Sequence, residues 1–241
     1  MKYYIFDIPK AQELILLANS AFVKEAKAIA LLDAVYTHSI LVKAYHLNKD
    51  FETLYKANSC YGLYALVRIQ LENVLNLYGC LICGNSEQFI KRFLSNNKNI
   101  TNQMKTKSKQ PLTTSLIKVK LGEYLDEVET INRIYQEGNN IIHPTNIAYE
   151  LSASYKDRQL TLKGFDVDLL TEEQRNSILK DMIIVNNYLM EVIAIYVKAQ
   201  ERFNEFAGNA ESEPVPPEGV EKFTKFLKDV FEPINKDLPS E

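Results

Sequence analysis

The sequence predicts an all-α protein, an up-and-down bundle of five or six main helices with a minor β-hairpin. Three observations carry that expectation. The 241 residues hold only eight Gly and eight Pro, and such sparse punctuation favours helices over a many-turned β architecture. Apolar residues recur at helical spacing through most of the chain. An apolar fraction of 46% supplies material for a sizeable core.

Pro9 suits the first turn of a helix, where its missing N–H costs nothing. Leu14, Leu17, Ala18, Ala21, Phe22, Leu31, Leu32, Val35 and Tyr36 then keep helical spacing to about Leu47, and Asn48-Lys49-Asp50 interrupts it. A second long helix is expected from about Phe51 to Cys83. It is apolar on more than one face and therefore central to the bundle. Gly84-Asn85 stops it, and Ser86 restarts a short helix to about Asn96. Residues 96–114 are polar and poorly periodic, a loop of unusual length. A further helix spans Leu116 to Glu137 and ends at Gly138. Alternation around Lys156-Asp157-Arg158-Gln159 predicts the hairpin. Thr171-Glu172-Glu173-Gln174 is a capping-box start for a helix reaching about Phe206. The helices at 51–83, 116–137 and 171–206 form the expected core of a domain at 1–207. Residues 208–219, with three prolines and three acids, read as a linker. A C-terminal amphipathic helix and tail follow at 220–241, with Val220, Phe223, Phe226, Leu227, Val230 and Phe231 on one face, suited to docking on the body or on a partner.

Composition narrows the function classes. A net charge of −3 gives no global pull toward nucleic acid or membrane. Asp7 and Pro9 break the apolar run that a signal peptide needs, and no segment stays apolar for the ~18 residues of a membrane span. Three cysteines do not make a disulfide framework. A cytoplasmic protein with reduced thiols is expected, without membrane attachment.

Five features carry candidate chemistry, each beside a plainer alternative. Cys80-Leu81-Ile82-Cys83 has redox spacing but closes a helix, where the dipole raises a thiol pKa, so plain buried cysteines are expected. No second pair of ligands suggests zinc. His38 and His46, about 80° apart around a helix, read as packing or surface histidines. Arg68 and Glu72 stand at i and i+4 in an apolar stretch. They form either a pair that sets helix register or part of a polar pocket shared with another helix. Between Lys91 and Lys120 lie Lys91, Arg92, Lys98, Lys105, Lys107, Lys109, Lys118 and Lys120 with no acid between them. That run is a phosphate-binding patch or a solvated loop. With almost no aromatic residues among them, base stacking is not indicated. Last, His143 follows Gly138 and is held by Pro144, either as a proton-transfer group on a rigid turn or as a simple turn histidine.

Gly138-Asn139-Asn140-Ile141-Ile142-His143 resembles the Arg-Asn-x-x-x-His signature of HEPN domains (higher eukaryotes and prokaryotes nucleotide-binding). The resemblance implies a helical bundle of a family in which many members cleave RNA in toxin and antiviral systems. In that family arginine and histidine act at a dimer cleft and asparagine supports them. Asn139 and His143 match by position, and Gly138 stands where the family has arginine. Either the activity is lost, or Arg68 or Arg133 takes the arginine's place in space. A longer likeness, from about Leu31 to Ile195, is to a group of bacterial helical proteins of unsettled activity. It rests on Arg68 and Glu72, on the short helix Glu87–Phe93, and on His143-Pro144-Thr145.

The resemblance implies a HEPN-like domain that binds or cleaves RNA in a bacterial stress or phage-defence setting, as a homodimer. His143 would be general acid/base, Arg68 the phosphate-stabilising charge, and Glu72 and Asn139 the orienting groups. Lys91, Arg92, Lys105, Lys107, Lys109, Lys118 and Lys120 would bind the backbone. Neither metal nor cofactor enters that chemistry. The rival expectation is a non-enzymatic binding or scaffold module in which Arg68, Glu72 and His143 tie helices together.

Overall fold

A computed structural model describes residues 5–25, 31–94, 104–143, 145, 153–156, 159–162 and 169–206, and among these described residues there are seven helices and one hairpin. They run α1 (Ile8–Glu25), α2 (Leu31–Lys56), α3 (Cys60–Ile82), α4 (Ser86–Leu94), α5 (Thr114–Leu125), α6 (Val128–Ile142), β1 (Ala153–Lys156), β2 (Gln159–Leu162) and α7 (Glu172–Phe206). The all-α bundle is the observed architecture, with the two short strands paired antiparallel, Ala153 opposite Leu162 and Lys156 opposite Gln159. The expected linker, the C-terminal helix, Lys98 and Pro144 lie outside the described residues.

Helix α3 is the hub, packed against α2, α5, α6 and α7. Its apolar residues explain that position. Leu63, Leu71, Val74 and Leu77 are fully buried, and Val67, Leu75 and Cys80 nearly so, on more than one side of the helix. Helix α1 closes the bundle by lying along α2 and α7, burying Ile8, Ala11, Leu14, Ile15 and Ala18. Burying a Leu or Ile side chain contributes roughly 1.5–3 kcal/mol, so these stripes hold the bundle together.

Four expected boundaries are corrected. Asn48 does not interrupt a helix; α2 runs through it to Lys56. Its amide is buried and exchanges two hydrogen bonds with Asn186 of α7, at 3.1 and 2.7 Å. A long-range partner thus overrides its weak helix propensity. The break falls instead at Asn58, in the left-handed conformation (φ 52°). There the Ser59 N–H reaches the Leu54 carbonyl and the Asn58 N–H the Tyr55 carbonyl, a Schellman ending.

The expected helix 116–137 is two helices. Asp126 is left-handed (φ 57°), and the Glu127 N–H bonds the Gly122 carbonyl at 2.9 Å. Gly122 allows α6 to fold back closely, since a Cβ there would sit 2.7 Å from Val128 Cα. Gly138 is not a stop, for α6 continues through it to Ile142. Finally, the described part of the expected long loop is ordered. Its Thr106 N–H bonds the Gln110 carbonyl, and it docks on the end of α3 through Gly84 N–H to Lys105 O (2.8 Å) and Lys107 N–H to Ile82 O (3.2 Å).

The local start signals hold. Thr171 and Gln174 form a reciprocal capping box, N–H to Oε1 at 2.9 Å and N–H to Oγ1 at 3.2 Å.

Candidate functional site

The middle of α3, the last turns of α6 and one residue of α5 meet around Arg68. Its side chain is 9% exposed. It lies where α6 has no side chain of its own: a Cβ on Gly138 would stand 2.7 Å from Arg68 Cβ and 3.1 Å from its Cγ and Cδ. The Arg68 stem therefore occupies the space that residue 138 leaves empty. Its Nε donates to Asn139 Oδ1 at 3.0 Å. One terminal nitrogen, Nη2, is 3.3 Å from Glu72 Oε1. Its guanidinium lies over the Tyr135 ring, 3.7 Å from the centroid, a contact favourable to a cation.

A second cation reaches the same ring. Lys118 of α5, 9% exposed, places Nζ 4.1 Å from the Tyr135 centroid. Burial lowers its pKa, and the Arg68 charge lowers it further. Among the described residues the carboxylate paired with the cluster is Glu72, whose side chain is 52% exposed. Arg68 Nη1 is buried with no hydrogen-bond partner.

His143 is the C-cap of α6, exposed, with its N–H bonded to the Asn139 carbonyl at 3.0 Å. It lies one helical turn beyond Asn139. Among the described residues no hydrogen bond or ion pair joins its ring to Arg68, Glu72 or Asn139, so the side-chain bonds link three of the four expected residues. The segment from Gly138 to Ile142, expected as a turn, is helical.

Of the two arginines considered for the vacant position, Arg133 is engaged elsewhere. It grips Asp181 of α7 with both terminal nitrogens, at 2.9 and 2.6 Å, and Glu137 at 3.0 Å. The Asp181 hydrogen bonds raise its pKa above the usual arginine value. It is the fastener between α6 and α7, and Arg68 is the arginine beside Asn139.

The basic run divides. Lys105, Lys107 and Lys109 are exposed on the turn docked against α3, with buried Thr106 between the first two so that both point outward. The turn caps the far end of α3, which at 1.5 Å per residue is about 20 Å from Arg68. Lys91 and Lys120 are exposed but paired, with Glu87 and Glu123. Arg92 is half-buried on α4. Lys118 departs from the expected surface role, because it is buried in the Arg68 cluster.

The plainer alternatives hold for two features. Cys80 and Cys83 are buried thiols outside any disulfide, and the Cys83 thiol lies 3.7 Å from the Lys105 carbonyl. The His38 ring bonds Asn19 Oδ1 at 2.7 Å, joining α2 to α1. Among the described residues no group of three or more His, Cys, Asp or Glu is placed to hold a metal, and no helix is long and apolar enough to cross a membrane. A cleft of about 240 Å³ beside Phe6, Phe51 and Tyr55 and another of about 210 Å³ beside Leu16, Val42 and Tyr45 lie away from Arg68.

Sequence reasoning does not single out two of the contributors. Tyr135 shares a face of α6 with Gly138 and Asn139, at i+3 and i+4, and that spacing is a signal the sequence does carry. Lys118 reads in the sequence as one more charge in a run. The fold and site define an all-α bundle with a cationic cluster on its central helix. No family model, curated protein or solved structure matches the chain.

Proposed function

We propose that this chain is a HEPN-like domain that binds RNA, and cleaves it where His143 meets a scissile phosphate, in the cytoplasm of a bacterium under stress or phage attack. The observation that carries the reading is the arginine–asparagine pair. Gly138 lacks the family's arginine, yet Arg68 fills the space beside it and bonds Asn139, the position that matches the signature. In cleavage, His143 takes the 2′-hydroxyl proton or protonates the leaving oxygen, while arginine charge stabilises the phosphorane. His143 is exposed, and among the described residues no hydrogen bond joins its ring to Arg68. A homodimer in which the two meet across the interface is therefore part of the proposal. Lys105, Lys107 and Lys109 supply backbone contacts.

Purified protein incubated with mixed RNA, beside His143→Ala, tests cleavage; identical RNA patterns for the two would sink it. Binding is tested by salt. Affinity should fall linearly on a log–log scale, and replacing Lys105, Lys107 and Lys109 with Ala should flatten the slope by about one for each phosphate that is no longer neutralised. Salt-independent binding would remove the phosphate reading.

A second reading, a non-enzymatic scaffold module, is favoured by the burial of Arg68 and by its bond to Asn139, which fastens α6 to α3. Under it, Asn139→Ala, which removes that bond, lowers the melting temperature and no RNA restores it.

A further inference from the structure

Two cations inside a protein interior need counter-charge, because like charges in a low-dielectric region repel and each loses hydration. Arg68 and Lys118 converge on one aromatic ring, each more than nine-tenths buried. Against them stands one carboxylate, Glu72, half in solvent and 3.3 Å from a single nitrogen. Arg68 Nη1 is buried with no acceptor, and among the described residues Lys118 Nζ meets the Tyr135 ring but makes no hydrogen bond or ion pair. Among the described residues these two charge-assisted donors thus have no protein acceptor. The ring beneath them supplies only the weaker cation–π attraction.

We propose that Arg68 and Lys118 form a binding site for one phosphoryl oxyanion, with Glu72 as the group it displaces. The arginine fork matches two oxygens of a tetrahedral anion, and the lysine ammonium supplies a third donor as a point charge. With Glu72 in place the cluster carries a net charge of +1 (two cations less one anion), which a phosphodiester balances. With Glu72 turned into solvent it carries +2, which a phosphate dianion balances. Asn139, whose Oδ1 accepts from Arg68 Nε, keeps the guanidinium in plane for that contact. The site rests on the RNA-binding reading for its physiological ligand but not for its chemistry.

Inorganic phosphate is the probe, titrated calorimetrically into the full chain against chloride at matched ionic strength. Wild type should bind phosphate and melt higher in its presence. Lys118→Met, which keeps the buried stem, should weaken binding roughly tenfold, as removal of one charge-assisted hydrogen bond implies. Glu72→Gln, on the exposed rim, should tighten it several-fold by removing the competitor. No phosphate effect beyond chloride, or unchanged affinity in Glu72→Gln, would overturn the site, and the second holds even where Lys118→Met fails to fold. Single-stranded RNA separates the two ideas. Phosphate binding that RNA does not compete with keeps the anion site and refutes its use for RNA; RNA binding to a chain that shows no phosphate binding, indifferent to both substitutions, refutes the anion site alone.

Discussion

Helix α3 presents two polar surfaces about 200° apart, at Gln70 and at Arg68. Toward α2 and α7, the amides close on one another. Gln70 donates to Asn186 at 2.9 Å, Asn73 to Gln70 at 3.0 Å, and Asn48 and Asn186 exchange bonds. Toward α5 and α6, Arg68 and Lys118 face a single half-exposed acid. Amides carry donors and acceptors together, so a neutral cluster can be complete within the fold. Guanidinium and ammonium groups carry donors only, so a cluster of them is complete only with an acceptor from outside. The first region suits fixing helix register; the second suits receiving a ligand.

Substitutions can break or sharpen that contrast. Asn186→Ala should have the largest effect, a loss of about 3 kcal/mol in urea unfolding, because it leaves the Asn48 Oδ1 and the Gln70 amide nitrogen without their buried partner and opens a void. A loss below about 1 kcal/mol would mean that the amide network is not closed. Gly138→Val should cost about 2 kcal/mol, since its Cβ meets the Arg68 stem and the helix backbone cannot yield to it.

Glu191 on α7 offers an acid to set against the two cations. Burial raises its pKa from 4.5 to about 7, with Lys198 opposing. Folding thus favours its protonated form, and its contribution is fully present below about pH 4.5 and is lost as pH rises through 7. Glu191→Gln should flatten the fall in stability over that window, a difference on the order of 2 kcal/mol at pH 8; an unchanged profile would assign the titration to another group. The smallest effect is expected of Arg68→Met, under about 1 kcal/mol in either direction, because an apolar side chain of similar length removes a charge that is incompletely paired. A large loss would make the cluster structural and favour the scaffold reading.

What the sequence discloses follows from range. The capping box at Thr171 and Gln174 is complete within four residues, so the start of α7 is legible to within a residue. Asn48 reads as a break because the amide that keeps it in a helix, Asn186, is 138 positions away. Gly138 reads as a stop for the same reason; what requires glycine there is Arg68 of another helix. The left-handed residues Asn58 and Asp126 carry signals of the right type, but the surrounding apolar periodicity runs across both. For the site, Arg68, Glu72 and Asn139 are each identifiable as unusual, and their union is not, since nothing local states which turn of α6 faces α3.

The close fit of Arg68 over Gly138 makes positions 68 and 138 a single heritable unit. An arginine gained at 138 by one mutation would meet the side chain already there, and a small residue gained first at 68 would leave Asn139 without its donor. Exchange between a signature with arginine on α6 and this arrangement on α3 therefore passes through an intermediate that is either overfilled or uncharged. Related sequences are expected to show large and small residues at these two sites in opposition, never both large.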